Sequence, residues 1–510
     1  MGAITGRRVR QMLAAIVAVG TLARIYAWKT EPPLYADEFF QYLEPAWIHL
    51  SGAGMTTWEW HVGIRSWVLP GYHGAWMAIL SWLGIHHGGT LGAIIQAHWA
   101  AVSLCLIAMG WRGGSSIARQ LAPQAARAAQ AEVGADVDSP GDAPPGAWGG
   151  LLGAALCGLF PLLVTFSVHT LSEVPSMFCV AWAFVLTSEL CERVEVTAAV
   201  PASRWRCASL GFLIGFLLAF AIGLRIANAP LALVPPLALI AARRARWLST
   251  VVAGALGPIA LFGITDRLTW GGFFLSFVRY VKFNFLEGKA ASFGVVASQY
   301  YAERLFERLP IALPILVVVA LVGMRVTWPY LLALFGTVAY LSTQAHKEER
   351  FVMLVWPLLL VAASGTAGGW LAARLSNRRG GAAVRGQRTR VRVWAAIAVA
   401  GALVVLCDSA RNCRWFDANV PKARLDAQAW IGRQSDVTGV LLEAPYWTGG
   451  QLWFGRTLPQ TVFSSELLSN PIFSHVLGQL DTDCVRAAIE AGFTRVFEHD
   501  GFVVLRRPKA

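Results

Sequence analysis

Long apolar segments separated by short polar stretches make up most of this chain as far as position 408. A helix that spans a membrane needs roughly 17–25 predominantly apolar residues. The candidate spans lie at 11–28, 90–110, 148–168, 173–190, 208–224, 228–242, 248–265, 309–325, 328–343, 352–373 and 393–408. The hydropathy pattern therefore predicts an all-α polytopic membrane protein with about 11 transmembrane helices.

A further apolar segment, 66–85, differs from these candidate spans. Pro70 and Gly71 interrupt it, and tryptophans such as Trp67 and Trp82 stand along it. Tryptophan is enriched where a membrane meets water. We therefore interpret 66–85 as a helix that lies in the plane of the interface and does not cross the membrane.

Composition and charge agree with a membrane protein. Hydrophobic residues make up 56% of the chain and charged residues 14%, whereas soluble domains carry about 25% charged residues. The net charge of +13 comes from basic residues between apolar segments, so we expect no nucleic-acid partner. Arg7 and Arg8 precede the first apolar run without a cleavage site after it, which favours an uncleaved first span. Cys413 and Cys484 can pair in an oxidising compartment, but their spacing does not establish that pairing.

The distribution of arginine predicts the topology. With a cytoplasmic N-terminus and 66–85 outside the count of spans, every arginine-rich connection falls on the cytoplasmic side, as the positive-inside rule requires. Those connections are 111–147, 191–207, 243–247 and 374–392. The other polar segments then share the opposite face: 29–90, 169–173, 266–308, the turn near 346–351 and the tail 409–510.

These assignments divide the chain into two domains. Residues 1–408 form a membrane module, in which 29–90 is the first extracytoplasmic loop with interface helices and 111–147 is a flexible cytoplasmic linker. Residues 409–510 are predicted to form a small extracytoplasmic α/β domain. Its predicted helices are 421–433 and Val485–Ala491, and its predicted strands are Val437–Glu443 and Arg495–Arg506.

Two clusters of charged residues lie on the predicted extracytoplasmic face. Asp37, Glu38, Gln41 and Glu44 follow the first span, where a carboxylate can act as a general base. A helix N-terminus whose acidic residues complement the helix dipole explains the same string. The second cluster is His346-Lys347-Glu348-Glu349-Arg350-Phe351, set against an apolar span where charge is costly. A self-satisfied network of surface ion pairs is the alternative for this second cluster.

In sequence, the second cluster resembles the HKEERF signature of a GT-C glycosyltransferase family. That family includes the polyprenyl-phosphate-mannose-dependent mannosyltransferases of GPI-anchor and N-glycan assembly. Asp37-Glu38 with Gln41 and Glu44 resembles the acidic pair and Q-x-x-E pattern of the family. Further matching blocks occur in the expected order: Thr57-Trp58-Glu59-Trp60, Gly63-Ile64-Arg65-Ser66, Pro70, then Asp266, Gly271, Lys282-Phe283-Asn284 and Phe293-Gly294.

Two blocks depart from the family pattern. His169-Thr170-Leu171-Ser172-Glu173 carries His and Glu where the family has Arg and Asn, and the usual glutamate position falls on Ser176 or Met177. Leu224-Arg225-Ile226 matches its block only loosely, and an arginine at the end of a span can also snorkel to the interface.

The resemblance implies a reaction and a set of roles. A sugar, by resemblance mannose, passes from a polyprenyl-phosphate donor to a glycan or glycolipid acceptor, with inversion because one base and one leaving group suffice. Asp37 or Glu38 deprotonates the acceptor, while His346, Lys347 and Arg350 bind the donor phosphate. Supporting or substrate-contacting residues are Gln41, Glu44, Glu59, Arg65, Glu173, Asn284, Glu348 and Glu349. A divalent metal is compatible with these acids, but no ligand spacing demands one.

Two other functions stay open at this point: a transporter or flippase of lipid-linked sugars, and a non-catalytic membrane scaffold that binds a glycan. Transporters place ionisable residues near mid-membrane and often contain repeats, neither of which is evident here. The Ala/Arg/Gly-rich composition is typical of a high-GC genome, so we expect the cytoplasmic (inner) membrane of a bacterium. A eukaryotic source places the protein in the endoplasmic reticulum instead.

Overall fold

A computed structural model describes residues 6–33, 35–121, 146–192, 201–376, 384–412, 419–445 and 450–508. Most of the predicted linker 111–147 lies outside these ranges, and so does Cys413. The structure therefore leaves the pairing of Cys413 with Cys484 open. Cys484 itself is a buried thiol in the C-terminal domain.

Helices build the membrane region. The α-helices are Gly6–Thr30, Glu44–Ser51, Trp58–Val62, Val68–Trp82, Gly88–Val102, Cys105–Leu121, Ala147–Leu159, Pro161–Phe166, Glu173–Glu192, Pro201–Leu224, Val234–Ala241, Leu248–Trp270, Leu275–Val281, Tyr300–Arg308, Ala312–Val322, Met324–Ser342, Val355–Ser376 and Val384–Arg411. Glu38–Leu43 and Lys282–Leu286 are π-helical, and Ile226–Leu233, Ala245–Trp247, Lys289–Phe293 and Glu349–Val352 are 3-10 turns.

The positions of the helices agree well with the predicted apolar segments, whereas the number of described helices long enough to span a membrane is lower than the predicted number of spans. Six described helices are long and apolar enough to cross a membrane. A seventh span results if Tyr300–Arg308 and Ala312–Val322, which meet at 103°, are counted together. The figure of about 11 spans stays a prediction.

The predicted span 148–168 is broken in the structure. One helix ends at Leu159 and the next begins at Pro161, whose ring fixes φ and suits the first helical position. Ser409 Oγ accepts a hydrogen bond from the Leu162 amide at 3.3 Å. The neighbouring Asp408 accepts bonds from the amides of Ile311 and Ala312 at 3.1 and 2.8 Å, at the start of another helix. Side chains at the end of Val384–Arg411 thus accept hydrogen bonds from N-terminal amides of two other helices, which have no partner within their own helix.

Glycines allow two pairs of helices to touch backbone to backbone. In the first pair, Cys105–Leu121 and Ala147–Leu159, a Cβ added at Gly110 would collide with the carbonyl oxygen of Gly153. In the second pair, Pro201–Leu224 and Leu248–Trp270, a Cβ at Gly215 would collide with the carbonyl of Val251. Small residues that let backbones approach are the usual means by which helices associate in lipid.

The segment 66–85 is helical over Val68–Trp82, as predicted. Leu69 and Met77 are buried in the main core, whereas Trp82 is 84% exposed. The helix packs against Glu44–Ser51, where Gly74 faces the backbone of Ala46. A helix with one buried and one exposed apolar face suits the interface, and that location stays a prediction.

The C-terminal domain contains a five-stranded sheet in the order β2-β1-β3-β5-β4. Strand β1 pairs in parallel with β2 and β3, and β5 pairs antiparallel with β3 and β4. The strands are β1 (Val440–Leu442), β2 (Gln460–Val462), β3 (His475–Gln479), β4 (Thr494–His499) and β5 (Phe502–Arg506), and the helices are Asn419–Arg433, Gly450–Phe454 and Asp483–Glu490. Asn419–Arg433 and Asp483–Glu490 cover opposite faces of the sheet.

The prediction of one strand over Arg495–Arg506 is wrong. The segment forms two antiparallel strands, β4 and β5, joined at Asp500 and Gly501. Both joining residues have positive φ, of 40° and 80°. Asp-Gly is a favoured pair for such a tight turn because both central residues need this backbone region.

Candidate functional site

A cavity of about 510 Å³ opens where the first loop meets the ends of several membrane helices. Its volume lies within the roughly 300–1,000 Å³ that small-molecule sites occupy. Its polar and charged lining residues are Asp37, Gln41, Thr57, Glu59, Arg65, Ser66, Ser172, Glu173, Arg225, Ser276, Asn284, Gln344, His346, Glu348 and Arg350. Most of the residues proposed from the sequence are therefore brought to one cavity.

Arg350 lies at the centre of the charged wall and is only 5% exposed. Its Nη2 donates to Asp37 Oδ2 at 2.5 Å and to Glu348 Oε1 at 2.9 Å, and its Nε donates to Glu348 Oε2 at 2.7 Å. Its Nε also lies 3.6 Å from Glu173 Oε1. The buried Nη1 has no acceptor among the described residues. Arg350 therefore joins three carboxylates and keeps one nitrogen available to a further anion.

Arg225 and Glu173 extend this charged wall. They form an ion pair, and the Arg225 guanidinium lies 4.4 Å from the ring centre of Phe351. Sequence reasoning left Arg225 undecided between a site residue and a snorkelling arginine, and the structure brings it to the cavity. The available signal was an arginine at the end of an apolar helix, three positions before Asn228.

Asp37 and Glu38 are neighbours in sequence but face different surroundings. The Asp37 side chain is 30% exposed and lines the cavity. Glu38 is fully buried, does not line the cavity, and pairs with His169 Nδ1 at 2.9 Å. It also accepts a bond from the Thr170 amide at 2.8 Å. Of the two candidate bases, only Asp37 reaches the cavity.

Burial and neighbouring charges have opposite effects on the pKa of Asp37 and on that of His169. Burial raises the pKa of Asp37 above its usual range, although Arg350 and Arg65 act to lower it. Burial acts to lower the pKa of His169, but the adjoining Glu38 carboxylate raises it overall. The raised pKa of His169 favours a charged His169–Glu38 pair behind the cavity wall.

Gln41, Glu59 and Arg65 form a second polar wall. Glu59 Oε1 accepts bonds from Gln41 Nε2 at 2.8 Å and from Arg65 Nη2 at 2.7 Å, while Oε2 accepts from Thr57 Oγ1 at 3.1 Å. On an α-helix, the i, i+3 and i, i+4 spacings would place Gln41 beside Glu38 or Asp37. The segment is a π-helix, whose wider turn changes which side chains share a face, and Gln41 pairs with Glu59 instead.

The HKEERF turn alternates between the cavity and the protein interior. His346, Glu348 and Arg350 line the cavity, and His346 Nε2 lies 3.1 Å from Glu348 Oε1. Lys347 Nζ instead donates to the backbone carbonyls of Val296, at 2.8 Å, and of Gln344. The expected contact of Lys347 with a donor phosphate is not matched by its position, because its ammonium group is turned away from the cavity.

Glu349 also faces away from the cavity. It forms a bidentate ion pair with Arg308, with nitrogen–oxygen distances of 2.6 and 3.0 Å. Arg308 Nη1 in turn donates to the carbonyl of Asn412 at 3.2 Å. This pair fastens the turn to the end of Val384–Arg411.

Glu44 is the other proposed site residue that lies outside the cavity. It is fully buried, and its carboxylate accepts bonds from three backbone amides: Met55 at 2.9 Å, Gln451 at 2.8 Å and Leu452 at 3.0 Å. Burial raises the pKa of Glu44 to about 7, although the three amides act to lower it. Its partners belong to the first loop and to the C-terminal domain.

Aromatic and apolar side chains complete the cavity. Trp58 stacks on Phe283 and Phe293, with ring centres 4.9 and 5.3 Å away. Asn284 Nδ2 donates to the carbonyl of Tyr280 at 3.0 Å. Apolar side chains from several helices also line it, namely Leu224, Phe262, Phe277, Tyr340 and Leu341. The cavity thus combines charged and apolar lining residues.

Two further aromatic residues of the first loop lie outside the cavity lining. Trp60 is buried against Trp67 and Trp270, and its indole donates to the carbonyl of Phe40 at 2.9 Å. Tyr72 bonds to His98 at 2.6 Å outside the cavity lining. In the part of the chain that the structure describes, no group of three or more His, Cys, Asp or Glu is arranged to hold a metal.

Comparison with known sequences places these residues in a family context. Residues 17–407 match the family model of the Alg9-like mannosyltransferases. GPI mannosyltransferase 3 of Yarrowia lipolytica is 26% identical over 362 residues, covering 70% of this chain and 62% of the relative. GPI mannosyltransferase 3 of Eremothecium gossypii is 36% identical over 78 residues, 13% of each chain. The chain therefore matches less than two thirds of the length of these relatives.

Solved structures share the fold. ArnT from Cupriavidus metallidurans bound to undecaprenyl phosphate superposes with a TM-score of 0.54 at 12% identity, covering 96% of this chain and 97% of ArnT. The Archaeoglobus fulgidus oligosaccharyltransferase tethered with an acceptor peptide gives 0.50 at 10% identity, covering 98% and 74%. The predicted fold, a GT-C-type multi-pass membrane bundle with a small C-terminal α/β domain, is confirmed.

Proposed function

Since the chain belongs to the Alg9-like mannosyltransferase family, we propose that it is a membrane glycosyltransferase that moves mannose from a polyprenyl-phosphate donor to a glycan or glycolipid acceptor. The observation that carries this proposal is the contact between Asp37 and Arg350 in a cavity lined by both charged and apolar residues. A base and a phosphate-binding cation are the two groups that this transfer needs.

The reaction is a single displacement at the anomeric carbon. The acceptor oxygen forms a bond to that carbon as its proton passes to the Asp37 carboxylate. The bond between the anomeric carbon and the phosphate oxygen breaks on the opposite side, and its electron pair goes to the phosphate. One displacement inverts the anomeric configuration, and no second carboxylate nucleophile is required.

Arg350 and His346 stabilise the phosphate that leaves. The Nη1 group of Arg350 is buried and has no acceptor among the described residues, so it can donate to a phosphate oxygen. His346 lines the same wall, and its bond to Glu348, helped by that carboxylate's charge, raises its pKa and favours the cationic form. In a site with little water these charges act more strongly than in bulk solvent.

Four charged or titratable residues outside the cavity take a supporting role in this proposal. Glu38 with His169 holds the segment that precedes the first-loop helices, and Lys347 and Glu349 hold the HKEERF turn. Gln41, Glu59 and Arg65 line the opposite wall, where sugar hydroxyls can exchange hydrogen bonds with them. Glu173, Arg225, Glu348 and Asn284 complete the lining.

The apolar lining residues of the cavity suit the lipid of the donor. Leu224 and Phe262 belong to neighbouring helices that are apolar enough to span a membrane. ArnT, which shares the fold, has been solved with undecaprenyl phosphate, a lipid of this chemical class. The proposed location is the extracytoplasmic face of a bacterial inner membrane, with a cytoplasmic N-terminus, in keeping with the arginine distribution.

A flippase or a non-catalytic scaffold would need the donor or glycan to bind without bond cleavage. Neither function requires a carboxylate paired with the phosphate-binding cation. The test is sugar transfer by purified protein in lipid, with radiolabelled polyprenyl-phosphate mannose and a lipid-linked acceptor extract. We expect labelled product from the wild type and none from Asp37→Asn, with Glu466→Gln on the C-terminal domain as the matched control. A folded wild-type protein that transfers no sugar would contradict the proposal.

A further inference from the structure

We propose that Glu44 and the short helix Gly450–Phe454 form a docking contact through which the C-terminal domain positions Asp37. This inference rests on the proposed role of Asp37 as the base. It assigns Glu44, a site candidate by sequence, to a task other than substrate binding. The C-terminal domain then becomes part of the catalytic apparatus without touching the substrate.

The hydrogen bonds of Glu44 are directed at the C-terminal domain. Two of its three amide donors, Gln451 and Leu452, are the second and third residues of Gly450–Phe454. The amides of a first helical turn have no partner within their own helix, so an outside carboxylate satisfies them. Both oxygens of Glu44 are occupied, and the side chain has no exposed surface with which to meet a substrate.

Glycines make room for the docked helix. Gly450 has φ of 61°, a left-handed conformation that favours glycine, and an added Cβ would collide with the Glu44 carboxylate. On the membrane module, a Cβ at Gly88 would collide with the carbonyl of Leu452, and one at Gly92 would lie 2.8 Å from the Trp453 ring. Both sides of the contact are therefore shaped for a close approach of backbone.

The docked helix touches the segment that carries Asp37. Trp453 packs edge-on against Phe39, with ring centres 5.5 Å apart, and Phe39 is the second residue after Asp37. Leu43 and Leu452 are fully buried in the same hydrophobic core. Gly450–Phe454 packs against Glu38–Leu43, Glu44–Ser51 and Gly88–Val102 together. The C-terminal domain thus packs against one side of the π-helix that follows Asp37.

The same short helix is fixed firmly to its own domain. Gln428 Nε2 donates to the carbonyl of Gly450 at 2.6 Å. The side chain of Gln451 bonds to both the carbonyl and the amide of Leu458, at 2.6 and 2.8 Å. Phe454 is buried in the core between Asn419–Arg433 and the sheet. A displacement of the C-terminal domain is therefore transmitted to the wall behind Asp37 through rigid contacts.

Hydrogen–deuterium exchange of the full-length protein in detergent, read together with transfer kinetics, tests this inference. Glu44→Gln keeps the shape of the side chain but turns one acceptor into a donor facing an amide. Gly450→Ala disrupts the same contact from the C-terminal domain, because the added Cβ collides with the Glu44 carboxylate. Gly492→Ala is the matched control, because Gly492 also has positive φ, of 89°, but meets nothing within 4 Å. Glu490→Gln, on an exposed side chain of the same domain, is the control for charge.

We expect both contact variants, and neither control, to speed exchange in peptides covering 36–51 and 450–456. We also expect kcat to fall by about 10²-fold, the loss that a 1 Å displacement of a reacting group causes, with KM for the donor unchanged. Unaltered exchange in 36–43 in both contact variants would overturn the inference, whatever their activity. If the wild type transfers no mannose but the contact variants still loosen 36–43, the proposed function fails while the docking contact is supported.

Discussion

Arg350 Nη2 and Asp37 Oδ2 lie 2.5 Å apart, although the two residues are separated by 313 positions in the chain. The residue proposed to hold the donor phosphate therefore also holds the proposed base. A donor phosphate bound to the same guanidinium would bring a negative charge close to Asp37, and a nearby like charge raises the pKa of a carboxyl group. We therefore expect Asp37 to be more basic when the donor is bound.

The pH dependence of transfer should report Asp37. Because the base acts in its deprotonated form, kcat/KM falls as the pH falls through its pKa, which burial raises above 3.8. Glu59 contributes to that rise. Glu59→Gln should therefore move the acid limb of the profile to lower pH, and exposed Glu466→Gln should leave it in place. Profiles of initial rate against pH check this, and a shift to higher pH would contradict it.

Arg350→Lys should lower kcat by about 10²–10³-fold, the usual loss when a group that stabilises developing negative charge is removed. A lysine has one point charge and cannot meet Asp37, Glu348 and a phosphate together as the planar guanidinium does. The measurement is single-turnover transfer from labelled donor. Arg304→Lys, an exposed pair with Glu307, should transfer sugar at the wild-type rate. Full activity of Arg350→Lys would exclude the proposed contact with phosphate.

Lys347→Met should destabilise the protein without affecting donor binding. Lys347 is buried and donates to two backbone carbonyls that would lose their charged partner, at a cost of about 1–3 kcal/mol. Thermal unfolding in detergent measures the stability, and initial rates below the transition give KM for the donor. The exposed Lys282→Met is the control. A higher donor KM at unchanged stability would return Lys347 to the phosphate site.

Glu38→Gln should mainly lower the stability of the protein, whereas Asp37→Asn should mainly abolish sugar transfer. Removing one partner of a buried ion pair costs about 3–5 kcal/mol, and Glu38 is fully buried against His169. Asp37 faces the cavity, so the Asp37→Asn protein should lose sugar transfer but keep most of its stability. Calorimetry and transfer assays at low temperature separate the two effects. A stable but inactive Glu38→Gln protein would instead make Glu38 a candidate base.

The sequence located the segments of the site better than the directions of its side chains. Asp37 and Arg350 were proposed from two motifs, and one cavity contains both. Which of two adjacent charged residues faces that cavity depends on local backbone, namely a π-helix after Asp37 and an extended residue at Glu348. Neither feature has a hydropathy period, so Glu38, Lys347 and Glu349 could not be separated from their neighbours.

The docking contact was beyond sequence reasoning for a different reason. Gly450–Phe454 has only five residues, which is too few for a helical period to be detected in the sequence. Glu44 and Leu452 are 408 positions apart. Within a single sequence, nothing connects a glutamate in one domain with amides in another, because backbone amides carry no residue-specific signal.

The glycine contacts described above bear on how a long-chain lipid gains entry. Pro201–Leu224 and Leu248–Trp270 meet backbone to backbone at Gly215 and Val251, with no side chain between them at that point. They line the cavity through Gly223 and Phe262. We therefore expect both helices to move together when the cavity widens on that side. Bilayer thickness and lateral pressure, which act on whole helices, thereby become determinants of how readily the site admits its lipid.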